Sequence, residues 1–222
     1  MIGRLISNGS RSWLVLCAVH GVVSMLLWWA GDAASEALTW RADHDWTQVW
    51  TLWSSSWVHM NTPHLIGNQV ALGALTAFAW AIRPSRASTL AWLLAWPLMQ
   101  ASLLLWPQIG YAVGLSGLLH AGAMVLAVQL ILRHMNVPKA PRWGGLLALG
   151  LIVKLMLESA WAHPVVWDGG NNMSVVQAMH LTGVIWGAAL ALLLGRHRGA
   201  AFSPAPVAHT RSADADGTVS LH

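Results

Sequence analysis

The stretch Gly114-Leu115-Ser116-Gly117 sets a hydroxyl between two glycines inside an apolar run, and His180 interrupts a second apolar run near the C-terminal end. A serine hydroxyl becomes a nucleophile when a base, usually histidine, takes its proton, and the oxyanion that then forms needs preorganised donors. His64 and Asn68 are four residues apart, so they share a helical face and are of the right types to be those donors. A lone serine in an apolar helix more often bonds its own backbone; the polar groups gathered with it turn the reading towards acyl-transfer chemistry. No aspartate accompanies them, so the pattern reads as a Ser116 and His180 dyad, as expected where a buried carboxylate is costly.

The elements that must position these groups are membrane helices. The chain is 56% hydrophobic and only 9% charged, against roughly 25% charged in an ordinary soluble domain. Its 222 residues suffice for one helical bundle and leave no room for a second folded domain. The net charge of +4 comes from basic residues at helix ends rather than along one face, so it marks topology and not a nucleic-acid partner. Cys17 is the only cysteine, which excludes a disulfide framework within the chain and a cysteine-based metal site. No nucleotide-binding glycine loop is present, and no cofactor is expected.

Apolar runs predict six spans: 13–30, 63–82, 88–106, 111–132, 143–162 and 174–194. All lysines and arginines except Arg41 and Lys154 then fall on one side, which places both termini in the cytoplasm. Residues 1–12 form a cytoplasmic segment, 13–195 the membrane domain, and 196–222, rich in Pro, Ala, Ser and Asp, a disordered cytoplasmic tail. Between the first two spans, Trp46, Trp50, Trp53 and Trp57 recur at helical spacing and predict an amphipathic helix in the outer interface. His20, midway along the first span, reads as a hydrogen-bonded packing residue.

Ser116 lies about five residues into the fourth span and His180 about six into the sixth, so at ~1.5 Å per residue both sit roughly 8 to 9 Å from the outer surface. Gly183 and Gly187 form a GxxxG face on the sixth span, for which Gly117 and Ala121 offer a matching small face on the fourth. Close approach of these faces would bring Ser116 to His180. Intramembrane polar residues are costly enough to be functional candidates by default.

At this point the chain resembles a known family. His64-Leu65-Ile66-Gly67-Asn68, Gly114-Leu115-Ser116-Gly117 and Ala178-Met179-His180-Leu181-Thr182-Gly183, in that order on the second, fourth and sixth spans, look like the rhomboid intramembrane serine proteases. The resemblance covers about residues 13 to 195. It implies an all-α, six-helix membrane bundle with Ser116 as nucleophile, His180 as base, and His64, Asn68 and the Ser116 amide as oxyanion hole. The substrate would be a transmembrane protein within a lipid bilayer, cleaved near the extracytoplasmic face. The family often has Trp-Arg in its first loop, where this chain has Trp50-Thr51. Where the family has a tyrosine four residues after the serine, stacked on the base, this chain has His120, expected to orient His180 in the same way. The form Gly-Leu-Ser-Gly-Leu-Leu-His is similar to the bacterial rhombosortase subgroup, which processes proteins bearing a C-terminal Gly-Gly type anchor. That implies a multi-pass protein of the bacterial inner membrane with its site towards the periplasm.

Two rival readings remain open in the sequence. His59, His64, His120 and His180 have the chemistry of metal ligands, although no HExxH is present. A catalytically inactive rhomboid-like protein that binds membrane clients would share the architecture, although such proteins usually lack the serine or the histidine. Lys154 and Glu158 are four apart in the fifth span and read as a mutually neutralising pair, with contact to substrate or to His120 as the functional alternative.

Overall fold

A computed structural model describes residues 8–43 and 47–195. The tail and most of the N-terminal segment expected to be cytoplasmic, together with Trp46, lie outside the described residues. The chain is mostly helical: α1 (Asn8–Ala30), α2 (Asp32–Leu38), the single turn α3 (Thr51–Ser54), α4 (Thr62–Ile82), α5 (Arg86–Ala101), α6 (Ser116–Ile131), α7 (Ala140–Glu158) and α8 (Gln177–Gly195). Two minimal antiparallel pairs join loops: β1 (Trp40–Arg41) with β2 (Tyr111–Ala112), and β3 (Val166–Asp168) with β4 (Met173–Val175). Among the described residues five helices are long and apolar enough to cross a membrane, namely α1, α4, α5 with the 3-10 turn that follows it to Leu105, α7 and α8.

Of the six expected spans, the one that carries Ser116 is the only one whose helix falls short of crossing length. With 16 residues, α6 spans about 24 Å at ~1.5 Å per residue, less than the roughly 30 Å of a bilayer core. The expected span from Tyr111 is replaced by an extended entry: Tyr111 and Ala112 pair with Arg41 and Trp40, and the Gly114 amide donates to the Ser55 carbonyl at 3.0 Å. Extended backbone rises about twice as fast as helix, so the chain descends quickly and begins to coil only at Ser116. From Gly117 to Leu130 nearly every α6 residue is buried, as expected of a helix apolar all round that neighbours surround on every side. It packs chiefly against α8, α7 and α5.

Packing around α6 is set by small residues and indoles. A Cβ on Gly183 would collide with the Gly117 carbonyl oxygen, and one on Gly187 would lie 2.5 Å from the Ala121 carbonyl oxygen, so α6 and α8 touch backbone to backbone. The GxxxG expectation therefore holds. On the other flank the buried Trp92 of α5 donates through Nε1 to the Leu118 carbonyl at 2.8 Å and stacks on Trp13 of α1 with ring centroids 4.4 Å apart. Far from Ser116, Gln129 donates to the Ala191 carbonyl at 2.9 Å and pins the other end of the α6–α8 pair.

The tryptophan-rich loop differs from its expected form. It makes one α-helical turn and one 3-10 turn (Ser55–Trp57), and its three serines face inward. Ser56 Oγ accepts from Trp96 Nε1 at 2.9 Å, and Ser54 Oγ donates to the Leu38 carbonyl at 2.9 Å. Trp57 turns inward too, donating to His20 Nδ1 at 3.0 Å, while Trp50 and Trp53 remain exposed. Partners distant in sequence satisfy these groups, so they tether the loop to the bundle instead of forming a wetted face. His20 is the hydrogen-bonded packing residue anticipated, fully buried and set edge-on to Trp96.

Candidate active site

Loops and helix ends from several parts of the chain meet around Ser116. As the first residue of α6 it stands at an uncapped helix N-terminus, where backbone N–H groups lack intrahelical partners and the helix dipole is positive. Gly114, two residues before, has φ +104, in the left-handed region that favours glycine, and a Cβ there would lie 2.5 Å from His64 Nε2. That glycine lets the chain turn steeply into the helix while the His64 ring lies against it.

His180, the fourth residue of α8, is 4% exposed, and its Nε2 lies 3.0 Å from Ser116 Oγ. The other ring nitrogen, Nδ1, donates to the Glu158 carboxylate at 2.9 Å to Oε2 and 3.1 Å to Oε1. A carboxylate only accepts, so Nδ1 carries the proton and Nε2 is left with its lone pair towards the serine hydroxyl. The rings of His120 and His180 are stacked, with centroids 4.3 Å apart and planes 17° apart, and His120 Nδ1 donates to the Ser116 carbonyl at 2.6 Å. One turn of α6 thus presents the hydroxyl and, four residues on, a flat surface for the base.

Glu158 is the residue that sequence reasoning underweighted. It forms the expected ion pair with Lys154, but the same carboxylate also reaches His180, not His120. The dyad expectation leaves this contact out. Three features hold Glu158 in place: α7 is capped by Ser159 in the left-handed region at φ 49, the Ser159 amide bonds back to the Leu155 carbonyl at 2.9 Å, and Gln177, with its amide oriented to satisfy both of its atoms, donates to the Glu158 and His163 carbonyls at 2.7 and 3.1 Å.

Asn68 and His64 stand on α4 across a cavity of about 210 Å³ that Ser116 and His180 also line, together with Met173, Val175, Val176 and Met179. The side chain of Asn61 caps α4 by accepting from the His64 amide at 2.9 Å, with Pro63 in the first turn. Asn68 Nδ2 donates to His59 Nε2 at 3.1 Å, and His59 Nδ1 donates to the Trp57 carbonyl at 3.0 Å. His59 thus orients the Asn68 amide, a role no local signal in the sequence announces. His59 lies outside the helices able to span a membrane, and burial pushes its pKa down to about 4, with the Trp57 carbonyl pulling the other way.

All the expected site residues therefore gather here: Ser116, His180, His120, His64 and Asn68 at the cavity or directly behind it, with Gly114, Gly117, Gly183 and Gly187 enabling the close approaches. The four histidines do not converge as ligands. His120 and His180 are stacked nearly parallel, so their in-plane lone pairs cannot meet at one point, and among the described residues no group of three or more His, Cys, Asp or Glu side chains could hold a metal ion. A hydroxyl hydrogen-bonded to a correctly protonated imidazole can attack a carbonyl, and the free backbone N–H groups at the helix N-terminus can stabilise the resulting oxyanion. No protein-family model matches this chain, and no curated protein matches it.

Proposed function

We propose that this chain is an intramembrane serine endopeptidase of the rhomboid type, with Ser116 as nucleophile and His180 as general base. The observation that carries the reading is the 3.0 Å hydrogen bond between Ser116 Oγ and His180 Nε2, made inside a bundle whose other helices are built to cross a membrane. In this reading α6 is the sixth spanning element, shortened because its extended entry does part of the crossing. The bias of Lys and Arg to the end away from Ser116 supports cytoplasmic termini and a site on the extracytoplasmic side, and the rhombosortase resemblance adds that this side would be the periplasm of a bacterial inner membrane.

The substrate is a transmembrane segment. Its peptide bonds are hidden in its own helical hydrogen-bond ladder, so it must unwind before Ser116 can reach a carbonyl. Glycines at the scissile site ease that unwinding, which fits the Gly-Gly type anchors of rhombosortase substrates. Donors from the N-terminus of α6, from Asn68 and from His64 face the cavity where the oxyanion would form. Ser116→Ala and His180→Ala should each abolish cleavage of a Gly-Gly anchored substrate while leaving the protein inserted and folded, a loss on the order of 10⁴-fold. Cleavage at the wild-type rate by folded Ser116→Ala would refute the proposal.

A further inference from the structure

Glu158 lies where a carboxylate is least at home. It ends α7, where the helix dipole is negative and acidic side chains are disfavoured, and only 15% of its side chain is exposed. It is set between Lys154, one turn earlier on the same helix, and His180 Nδ1. Resting on the protease reading, we propose that Glu158 is the positioning acid of a Ser116, His180, Glu158 triad, and that Lys154 is present to keep its charge tolerable within the membrane.

Two constraints act on the base, and they are not redundant. Stacking on His120 holds the plane of the His180 ring, but a ring can turn over within a stack, which puts Cε1 where Nε2 faces Ser116, and a neutral ring can carry its proton on either nitrogen. The Glu158 carboxylate removes that freedom, because it accepts only from Nδ1–H. It therefore selects the tautomer whose Nε2 lone pair faces the hydroxyl.

The charges close at every step. In the resting site Glu158 and Lys154 neutralise each other. When Ser116 Oγ attacks the substrate carbonyl carbon, a C–O bond forms, the carbonyl π pair moves to oxygen, and the hydroxyl proton passes to His180 Nε2. The imidazolium so formed faces Glu158 through Nδ1–H, which it keeps, while the oxyanion balances its charge. The oxyanion pair then re-forms the carbonyl as the C–N bond breaks, its pair leaving with the amine, which takes the Nε2 proton of His180; the acyl ester left on Ser116 is hydrolysed by water in the same two steps, with His180 again taking and returning the proton. Glu158 is never protonated.

The test uses full-length protein in detergent micelles, with two readouts: labelling of Ser116 by a fluorophosphonate probe, which needs no transmembrane substrate, and cleavage of a Gly-Gly anchored substrate. Glu158→Gln preserves shape and loses charge; its labelling rate and kcat should fall by roughly 10² to 10⁴ with KM little changed. Glu158→Asp, which restores the charge on a shorter arm, should recover part of the loss. Lys154→Met combined with Glu158→Gln should remain as slow as Glu158→Gln alone. If the double variant instead regains the wild-type rate, Glu158 serves only to neutralise Lys154 and the triad is overturned. Wild-type labelling by folded Glu158→Gln overturns it equally. A wild-type protein that labels but cleaves no transmembrane substrate removes the protease reading and leaves the Glu158 comparison standing on labelling alone; one that neither labels nor cleaves removes both.

Discussion

The imidazole rings of His120 and His180 lie face to face, 4.3 Å between centroids, with Ser116 Oγ at the edge of one ring and the Ser116 carbonyl bonded to the other. An aromatic stack contributes about 0.5 to 1.5 kcal/mol beyond area burial, enough to hold one orientation of the base over its rivals. His120→Ala should therefore lower kcat roughly tenfold, while His120→Tyr, which keeps a ring in place, should retain most of the wild-type rate. Both rates, measured with one transmembrane substrate in parallel with a chelator-treated wild type, also separate this role from metal ligation. A chelator-sensitive wild type together with inactive His120→Tyr would assign His120 to a metal.

Asn68 should matter to the rate and little to binding. Its amide faces the cavity beside Ser116 and is aimed by His59, so it is placed to donate to charge that exists only once the carbonyl has been attacked. Removing one such donor typically costs roughly 10² to 10³ in turnover. Asn68→Ala should show that loss in kcat with KM nearly unchanged. Unaltered kcat would leave Asn68 a purely structural role.

The His59 contact has a pH signature. The neutral ring donates to Trp57 and accepts from Asn68 at once, which a protonated ring cannot do. Its pKa falls from 6.5 in the unfolded chain to about 4 in the folded one, chiefly because it is buried. Between those values the unfolded state binds more protons, so the stability owed to neutral His59 is complete above pH 6.5 and is lost as pH falls towards about 4. Melting temperatures recorded from about pH 7 down to about pH 4.5 should drop less steeply for His59→Gln than for the wild type. Parallel curves would show that His59 titrates without strain.

Much of this site was legible in the residues themselves, because membrane helices announce themselves by the length of their apolar runs. Gly183 and Gly187 facing Gly117 and Ala121 were enough to bring two distant helices together at the right level. What escaped was set by partners far apart in sequence. Tyr111 looks like the start of a helix until Trp40 and Arg41 draw it into a strand pair, and Ser54 to Ser56 look solvent-facing until Trp96 and Leu38 take up the hydroxyls of Ser56 and Ser54 and Gly114 the backbone carbonyl of Ser55. Glu158 was masked by its neighbour: a lysine four residues away explains the charge locally, and only the fold of the segment from Ser159 to Gln177 brings His180 onto the same carboxylate.

On the protease proposal, a groove of about 340 Å³ is the route a transmembrane substrate would take. Ala71, Ala74, Leu75 and Phe78 of α4 form one wall and Leu147 and Leu151 of α7 the other, with Leu119, His120 and Ala123 of α6 as the floor. Its lining is almost wholly apolar, matched to a helix arriving through lipid, and its floor includes the ring stacked on His180. A small water-soluble probe can instead reach Ser116 through the cavity shared by His64 and Asn68, which is more polar than the groove. The two routes predict different sensitivities to one substitution. Ala74 is exposed in the groove wall, so Ala74→Trp fills the groove without crowding the core. Cleavage of a transmembrane substrate by this variant should slow on the order of tenfold, the effect of about 1.4 kcal/mol of forfeited binding, and fluorophosphonate labelling of Ser116 should proceed at the wild-type rate. Equal slowing of both reactions would mean that the Ala74→Trp substitution has disturbed the site itself, and slowing of neither would mean that substrates do not pass between α4 and α7.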